Sequence, residues 1–252
     1  MNEASGTLVG SVALVTGAGQ RLGRAIAGDL AGQGADVAVH YFRSAEQAAA
    51  TAGDVQRLGR RAWTLGADLA DPAGAGELME RAIAAAGGPV DILINSASTF
   101  LPSRLMDVEP AEIDQSIHLH ALAPLLLSRA LARQGRPGGR IINMLDARMV
   151  DYDRDHAAYH LGKRMLLTLT RMLALELAPA VRVNAVAPGA VLPAAGSSPE
   201  QFEEIGRAAP LQRVGSPADV LRAVRFLLDS PFITGQVIYV DGGRHMRGNV
   251  YG

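Results

Sequence analysis

A tyrosine and a lysine stand four residues apart in the run Tyr159-His160-Leu161-Gly162-Lys163. On a helix that spacing puts both side chains on one face, so a phenol and an ammonium can converge on one point. A nearby ammonium lowers a tyrosine pKa from its usual ~10 towards the range in which an acid–base catalyst works. The spacing alone often arises by chance. Here, however, Lys163 is the only lysine among 24 basic side chains. Lysine is a compact ammonium with a movable pKa, while arginine is a wide planar fork. A lone lysine in an arginine-rich chain therefore marks a place where guanidinium does not fit, unless it too is chance.

A second group lies near the start. Thr16-Gly17-Ala18-Gly19-Gln20-Arg21-Leu22-Gly23 follows one short apolar run and leads into a helical one. Glycines there let the backbone approach a pyrophosphate, which sits at the positive N-terminus of the helix. Such turns also occur without ligands, and it is the position between strand and helix that favours a dinucleotide. The next apolar run ends in His40-Tyr41-Phe42-Arg43-Ser44. A site for NAD usually carries an acidic residue there for the ribose hydroxyls. Arg43 and Ser44 instead offer a guanidinium and a hydroxyl suited to the 2′-phosphate of NADPH. A solvated loop arginine is the alternative.

The elements that must hold these groups alternate along the chain. Strands are predicted at Val12–Thr16, Asp36–His40, Arg61–Leu65, Val90–Asn95, Gly139–Met144, Arg182–Ala187 and Gln236–Val240. Helices are predicted near 21–33, 45–59, 72–87, 111–134, 155–178 and 217–229. Several strands are continuously apolar, as when helices cover both faces of a parallel sheet. The expectation is α/β: one Rossmann-type, doubly wound parallel sheet of about seven strands, as a single domain over 1–252. Its ligand cleft then lies at the carboxyl ends of the strands. The stretch Gly189–Pro210, rich in Pro, Gly, Ser and Glu, reads as a lid carrying a short helix near 199–207, or as a surface insertion.

Composition narrows the function classes. The 252 residues carry a net charge of −1, which gives no long-range pull on nucleic acid or an anionic membrane. There is no cysteine, hence no disulfide, thiolate nucleophile or cysteine-ligated metal. No apolar run nears the ~20 residues needed to cross a bilayer, and Met1–Val9 does not read as a signal peptide. A cytoplasmic protein is expected, with a small-molecule substrate and no nucleic-acid, membrane or metal partner. His118, His156, His160 and His245 show no metal-ligand arrangement and read as helix-surface or packing residues.

Over essentially its whole length the chain resembles the short-chain dehydrogenase/reductase family. The matching elements are the Thr16–Gly23 turn, Asp68, Asn95-Ser96-Ala97-Ser98, Tyr159–Lys163, Asn184, Pro188-Gly189 and Asp241-Gly242-Gly243. The resemblance implies that Gly17, Arg21, Leu22, Gly23, Tyr41, Arg43 and Ser44 contact the cofactor. It implies that Asp68 and Leu69 flank the adenine, with Asn95 and Ala97 on the adenosine ribose side. Tyr159 would then be the proton donor, Lys163 would grip the nicotinamide ribose, and Pro188-Gly189 would meet the nicotinamide. The family is usually tetrameric, so a homotetramer is expected, with Arg244 or Arg247 bordering a neighbour's cleft.

Four departures from the family pattern point further. Arg21 replaces the middle glycine of the turn, Ser98 replaces a glycine, and Asp146 stands where a carbonyl-binding serine usually precedes the tyrosine. These three are similar to the pteridine reductases, as is the His40–Ser44 segment. The fourth, His120 in place of a helix asparagine, resembles the dihydromonapterin reductases, as does the ending Asp241–Arg247. Hydride addition to a ketone builds negative charge on oxygen, which an ionised Asp146 would repel. Reduction of a C=N bond develops iminium character, which a carboxylate favours. Asp146 thus argues for a ring imine, unless it turns away to cap the neighbouring loop.

The catalytic set is therefore Asp146, Tyr159, Lys163 and His120, with His120 behind Lys163. Arg21, Ser98, Phe100, Asp146 and Tyr159 would position a pterin or folate-like substrate. Phe100 offers a stacking face or ordinary loop packing. The expected activity is NADPH-dependent pterin reduction. The alternatives are an NADPH-dependent carbonyl reductase of the 3-oxoacyl type and a non-catalytic NADP(H)-binding sensor or scaffold.

Overall fold

A computed structural model describes residues 8–193 and 198–247. Among these residues seven strands, β1 (Val12–Val15), β2 (Asp36–Tyr41), β3 (Ala62–Gly66), β4 (Ile92–Asn95), β5 (Gly139–Met144), β6 (Val181–Pro188) and β7 (Val237–Val240), form one sheet. Their order is β3-β2-β1-β4-β5-β6-β7, and every pairing is parallel. The order reverses between β1 and β4, and a crevice opens there at the carboxyl ends of the strands.

Period-two alternation decides which side chains meet which layer. On β1, Ala13 and Val15 join a core with Ile26, Leu30, Val55, Val220 and Leu227. Val12 and Leu14 point the other way, to Leu78, Met79, Leu127, Ile141 and Leu173. The first layer is built by α1 (Arg21–Gly32), α2 (Ala45–Arg57) and α8 (Pro217–Asp229), and the second by α3 (Pro72–Ala86), α5 (Ala123–Ala132) and α6 (Ala157–Glu176). The remaining helices are α4 (Pro110–Ile117) and α7 (Pro199–Arg207). Leu14, Ile92 and Leu93 are fully buried, each contributing about 1.5–3 kcal/mol.

Local signals start the helices. Proline stands in the first turn of α3, α4, α7 and α8, where its missing N–H is no loss. Ser198 with Gln201 and Ser216 with Asp219 form reciprocal caps on α7 and α8. The single helix expected over 111–134 is instead α4, a π-helical turn His118–Leu122, and α5. Pro124 has no N–H to give the His120 carbonyl, and the Ala123 N–H reaches five residues back to His118. The short helix expected near 199–207 is α7, while residues 194–197 of the Gly189–Pro210 stretch lie outside the described residues. No helix among the described residues is long and apolar enough to cross a membrane.

Candidate active site

β5 leads into Leu145 and Asp146, and Asp146 begins a 3-10 turn, Ala147–Val150. Its two carboxylate oxygens have separate tasks. Oδ1 accepts the Arg148 N–H at 2.7 Å, capping the turn, and Oδ2 accepts the Tyr159 hydroxyl at 2.8 Å. One side chain thus both caps the neighbouring loop and meets the Tyr159 hydroxyl. Two accepted hydrogen bonds, one on each oxygen, are the pattern of an ionised carboxylate.

Tyr159 and Lys163 share a face of α6, but the ammonium does not touch the phenol oxygen. Lys163 Nζ donates to the Met144 carbonyl at 2.7 Å and lies 5.7 Å from the centre of the Tyr159 ring. The expected lowering of the tyrosine pKa is therefore not what the geometry gives. Burial and the adjacent Asp146 carboxylate hold the Tyr159 pKa well above the ordinary value for a phenol. Burial brings Lys163 down to about 8, against the opposing pull of Asp146.

His120 sits on the π-helical turn, edge-on to Tyr159 with ring centres 5.3 Å apart. A side chain at Gly162 would put its Cβ 3.0 Å from both His120 Cβ and the Ser116 carbonyl, so glycine lets α6 approach the turn. Thr99 N–H and the Ser98 hydroxyl reach His120 Nε2 at 3.3 and 3.0 Å. Nε2 must then accept, and the Nδ1–H faces the Ser116 carbonyl at 2.9 Å. Burial, with Lys163 nearby, lowers the His120 pKa to about 3, so the ring is neutral. Its partners are Ser98, Thr99 and Ser116. The water or backbone link behind Lys163 expected of His120 is not among these bonds, and Lys163 acts on the ring through its charge.

Phe100 is engaged in a way that its position in the sequence does not reveal. It stacks on His156 with centres 3.8 Å apart and meets Tyr159 edge-on at 4.9 Å, while remaining 40% exposed. His156 Nδ1 is 3.0 Å from Asp153 Oδ2, which also pairs with Arg148. The signal for His156 was available in the sequence: it precedes Tyr159 by three residues, the spacing of one helical face. Asp153 and Arg148 carried no comparable signal.

The glycine turn lies at the crevice. Gly23 packs so closely that a Cβ there would lie 2.2 Å from the Gly17 carbonyl. The α1 N-terminus has no side-chain cap and no acidic residue in its first turn, which leaves amide hydrogens for an anion. Arg21 has φ +53, the left-handed region that explains why a glycine is usual at this position; holding it costs roughly 1–3 kcal/mol. Its guanidinium donates to the Pro193 carbonyl at 2.7 Å, joining the turn to the Gly189–Pro210 stretch.

The other expected cofactor residues lie in α1 or at and just beyond the carboxyl ends of β2, β3, β4 and β6. Leu22 packs against the first core layer. Tyr41 lies along the Gly66 backbone. Arg43 is exposed over the Phe42 ring, and Ser44 heads α2 without capping it. Asp68 accepts from Ala70 N–H, and the Ala97 N–H donates to Thr16 Oγ1. Asn95 donates to Asn143, and its own buried oxygen has no partner among the described residues. Pro188 ends β6, with the Gly189 N–H on the Val240 carbonyl. Leu69 keeps its side chain in the second core layer, so only its backbone can face a ligand.

An uncapped helix start, a close-packed glycine turn and a second strand ending in Arg43-Ser44 without a carboxylate suit a phosphorylated dinucleotide. The tail is also placed. The 3-10 turn Arg244–Arg247 packs against Ala147–Val150 of the same chain, and Arg247 Nη1 donates to the Ala208 carbonyl at 3.0 Å.

Comparison with known proteins agrees with this architecture. A family model described as enoyl-(acyl carrier protein) reductase matches residues 17–245. Versicolorin reductase stcU of Emericella nidulans is 35% identical over 254 residues, covering 94% of this chain and 96% of that one. The crystal structure of FolM alternative dihydrofolate reductase 1 from Brucella canis, complexed with NADP, superposes with a TM-score of 0.89. It is 34% identical and covers 95% of each chain. The angucycline C-6 ketoreductase LanV with bound NADP gives 0.88 at 32% identity, covering 98% of this chain and all of that one. In sheet order, glycine turn and Tyr159–Lys163 helix, the chain belongs to the short-chain dehydrogenase/reductase family.

Proposed function

We propose that this protein is an NADPH-dependent reductase of a pterin or folate-like substrate, acting on a ring C=N bond. The observation that carries the reading is the Tyr159 hydroxyl on Asp146 Oδ2, at a position where a ketone reductase needs a neutral donor. The resemblance to FolM, described as an alternative dihydrofolate reductase and complexed with NADP, supports it.

Bound at the glycine turn, the cofactor supplies a hydride, and the chain supplies orientation and a proton. Gly17, Arg21, Leu22 and Gly23 line the pyrophosphate, and Tyr41, Arg43 and Ser44 the 2′-phosphate end. Asp68, the Leu69 backbone, Asn95 and Ala97 hold the adenosine. Lys163 and Pro188-Gly189 hold the nicotinamide end. Tyr159 Oη carries the proton that passes to the ring nitrogen, and the Asp146 carboxylate favours the cationic character that develops there. Proton transfer from a positioned side chain contributes roughly 10²–10⁴-fold. Phe100 stacks on the flat substrate, Ser98 and Arg21 bind its polar edge, and neutral His120 fixes the Ser98–Thr99 loop against Tyr159.

A second reading has its own support. Versicolorin reductase and the ketoreductase LanV are as similar to this chain as FolM. Parallel assays decide between them. Dihydropterins should be reduced with kcat/KM at least ~100-fold above simple ketones. Activity on 3-oxo esters with silence across a dihydropterin and dihydrofolate panel overturns the pterin reading and leaves the reductase.

The assembly belongs to the same proposal. Leu161, Met165, Met172 and Leu175 form one exposed apolar stripe along α6, of the kind that a partner subunit covers. A homotetramer is expected, and light scattering giving a particle near 26.4 kDa would overturn it.

A further inference from the structure

We infer that His40 is a positioning residue for the cofactor: a single imidazole sets the spacing between the Gly17 turn and the Ala67-Asp68-Leu69 segment, and so the affinity for the adenosine half of NADPH and NADH alike. The inference rests on the reading that those two segments hold a dinucleotide.

His40 lies at the end of β2 inside the run expected to meet the cofactor phosphate, yet it is only 2% exposed and cannot reach a ligand. Both ring nitrogens are used. Nδ1 accepts the Gly17 N–H at 3.1 Å, so the hydrogen is on Nε2, which donates to the Ala67 carbonyl at 3.1 Å. The His40 carbonyl accepts the next amide of the turn, Ala18 N–H, at 2.8 Å. Two successive amides of the turn thus end on one residue, one on its side chain and one on its backbone. That commitment leaves the amides closer to α1 for phosphate. On the far side, the Ala67 N–H is tied to the Tyr41 carbonyl at 3.0 Å, and Asp68 follows directly.

The arrangement works only with a neutral ring. Burial, together with Arg81, lowers the His40 pKa to about 4, against the Ala67 carbonyl and Asp68, which favour the charged form. The carboxyl ends of β1, β2 and β3 are therefore locked through a group that is an acceptor on one side and a donor on the other. An aliphatic side chain of similar volume would fill the space and leave the Gly17 amide and the Ala67 carbonyl unpaired.

Three variants separate the two contacts. His40→Asn keeps an oxygen acceptor near the Nδ1 position, His40→Gln keeps a donor near Nε2, and His40→Leu keeps neither. Calorimetric titration of each with NADPH and with NADH, without substrate, reads the effect. His40→Leu should weaken both cofactors by about the same factor, tenfold or more, and His40→Asn should return to within about threefold of wild type. His40→Gln should stay close to the leucine variant, and kcat at saturating NADPH should stay within about twofold throughout. A loss confined to NADPH would mean that His40 reads the 2′-phosphate, and unchanged affinities would mean that it positions nothing. Either overturns the inference. Should the leucine variant fail to melt cooperatively, the Asn and Gln pair still decides, since equal affinities of the two overturn it as well. A wild-type chain that binds neither cofactor overturns the reductase reading itself.

Discussion

The Tyr159 hydroxyl donates to Asp146 Oδ2 across 2.8 Å, while the Lys163 ammonium is committed to the Met144 carbonyl. Burial and, after it, the Asp146 carboxylate raise the pKa of the phenol, and no ammonium touches its oxygen to lower it. The sign follows: a raised pKa keeps the proton on the tyrosine into alkaline solution. Asp146→Ser removes the negative charge and should move the alkaline limb of the kcat/KM profile to lower pH. It should also reduce dihydropterin turnover more than any residual ketone turnover, narrowing the gap between them. An alkaline limb that stays in place in Asp146→Ser would show that the carboxylate does not govern Tyr159.

Much of this site was legible because it is written locally. Tyr159 and Lys163 need only one helix, and the glycine turn only a strand followed by a helix. The unbroken apolar run of β1, with Ala13 and Val15 facing one layer and Val12 and Leu14 the other, likewise announces a sheet covered on both faces. Contacts between distant segments were not legible. Arg21 meets Pro193 across 172 residues of chain, and Phe100 finds His156 only once the loop after β4 folds onto the start of α6. The π-helical turn at His118–Leu122 was missed although Pro124 marked it, because apolar periodicity runs through the break.

Lys163→Arg should abolish most turnover while leaving the fold in place. Lys163 is 3% exposed and its ammonium fits between Met144 and Tyr159. A guanidinium keeps the charge but brings a wide, rigid fork. Steady-state rates beside a thermal melt test it. Retention of more than about a tenth of wild-type activity, a loss under ~1.4 kcal/mol, would remove Lys163 from the catalytic set.

Acid should destabilise the protein through its neutral buried histidines. Burial lowers His40 to about 4 and His120 to about 3, from 6.5. Between those values and 6.5 the unfolded chain binds more protons than the folded one. Stability is therefore complete above 6.5 and falls as the pH drops towards 4. The two together should cost on the order of 3 kcal/mol between pH 7 and pH 5, at up to ~1.4 kcal/mol per pH unit each. His120→Asn, which restores the usual family residue, should remove about half of that dependence in denaturant titrations at the two pH values. An unchanged dependence would mean that His120 is not held neutral.

Arg43→Ala should weaken NADPH much more than NADH. Arg43 is exposed beside Phe42 at the carboxyl end of β2, and Ser44 next to it heads α2 without capping it. In the function proposed above, the guanidinium faces the ribose end of the cofactor, where NADPH carries a phosphate and NADH a hydroxyl. A charge-assisted contact of this kind contributes about 1.5–3 kcal/mol, roughly ten- to a hundredfold in affinity. Titrating both cofactors against the wild type and the variant measures it without any turnover. The comparison also complements the His40 variants, which should weaken both cofactors equally. Equal losses of NADPH and NADH in Arg43→Ala would show that Arg43 does not read the phosphate.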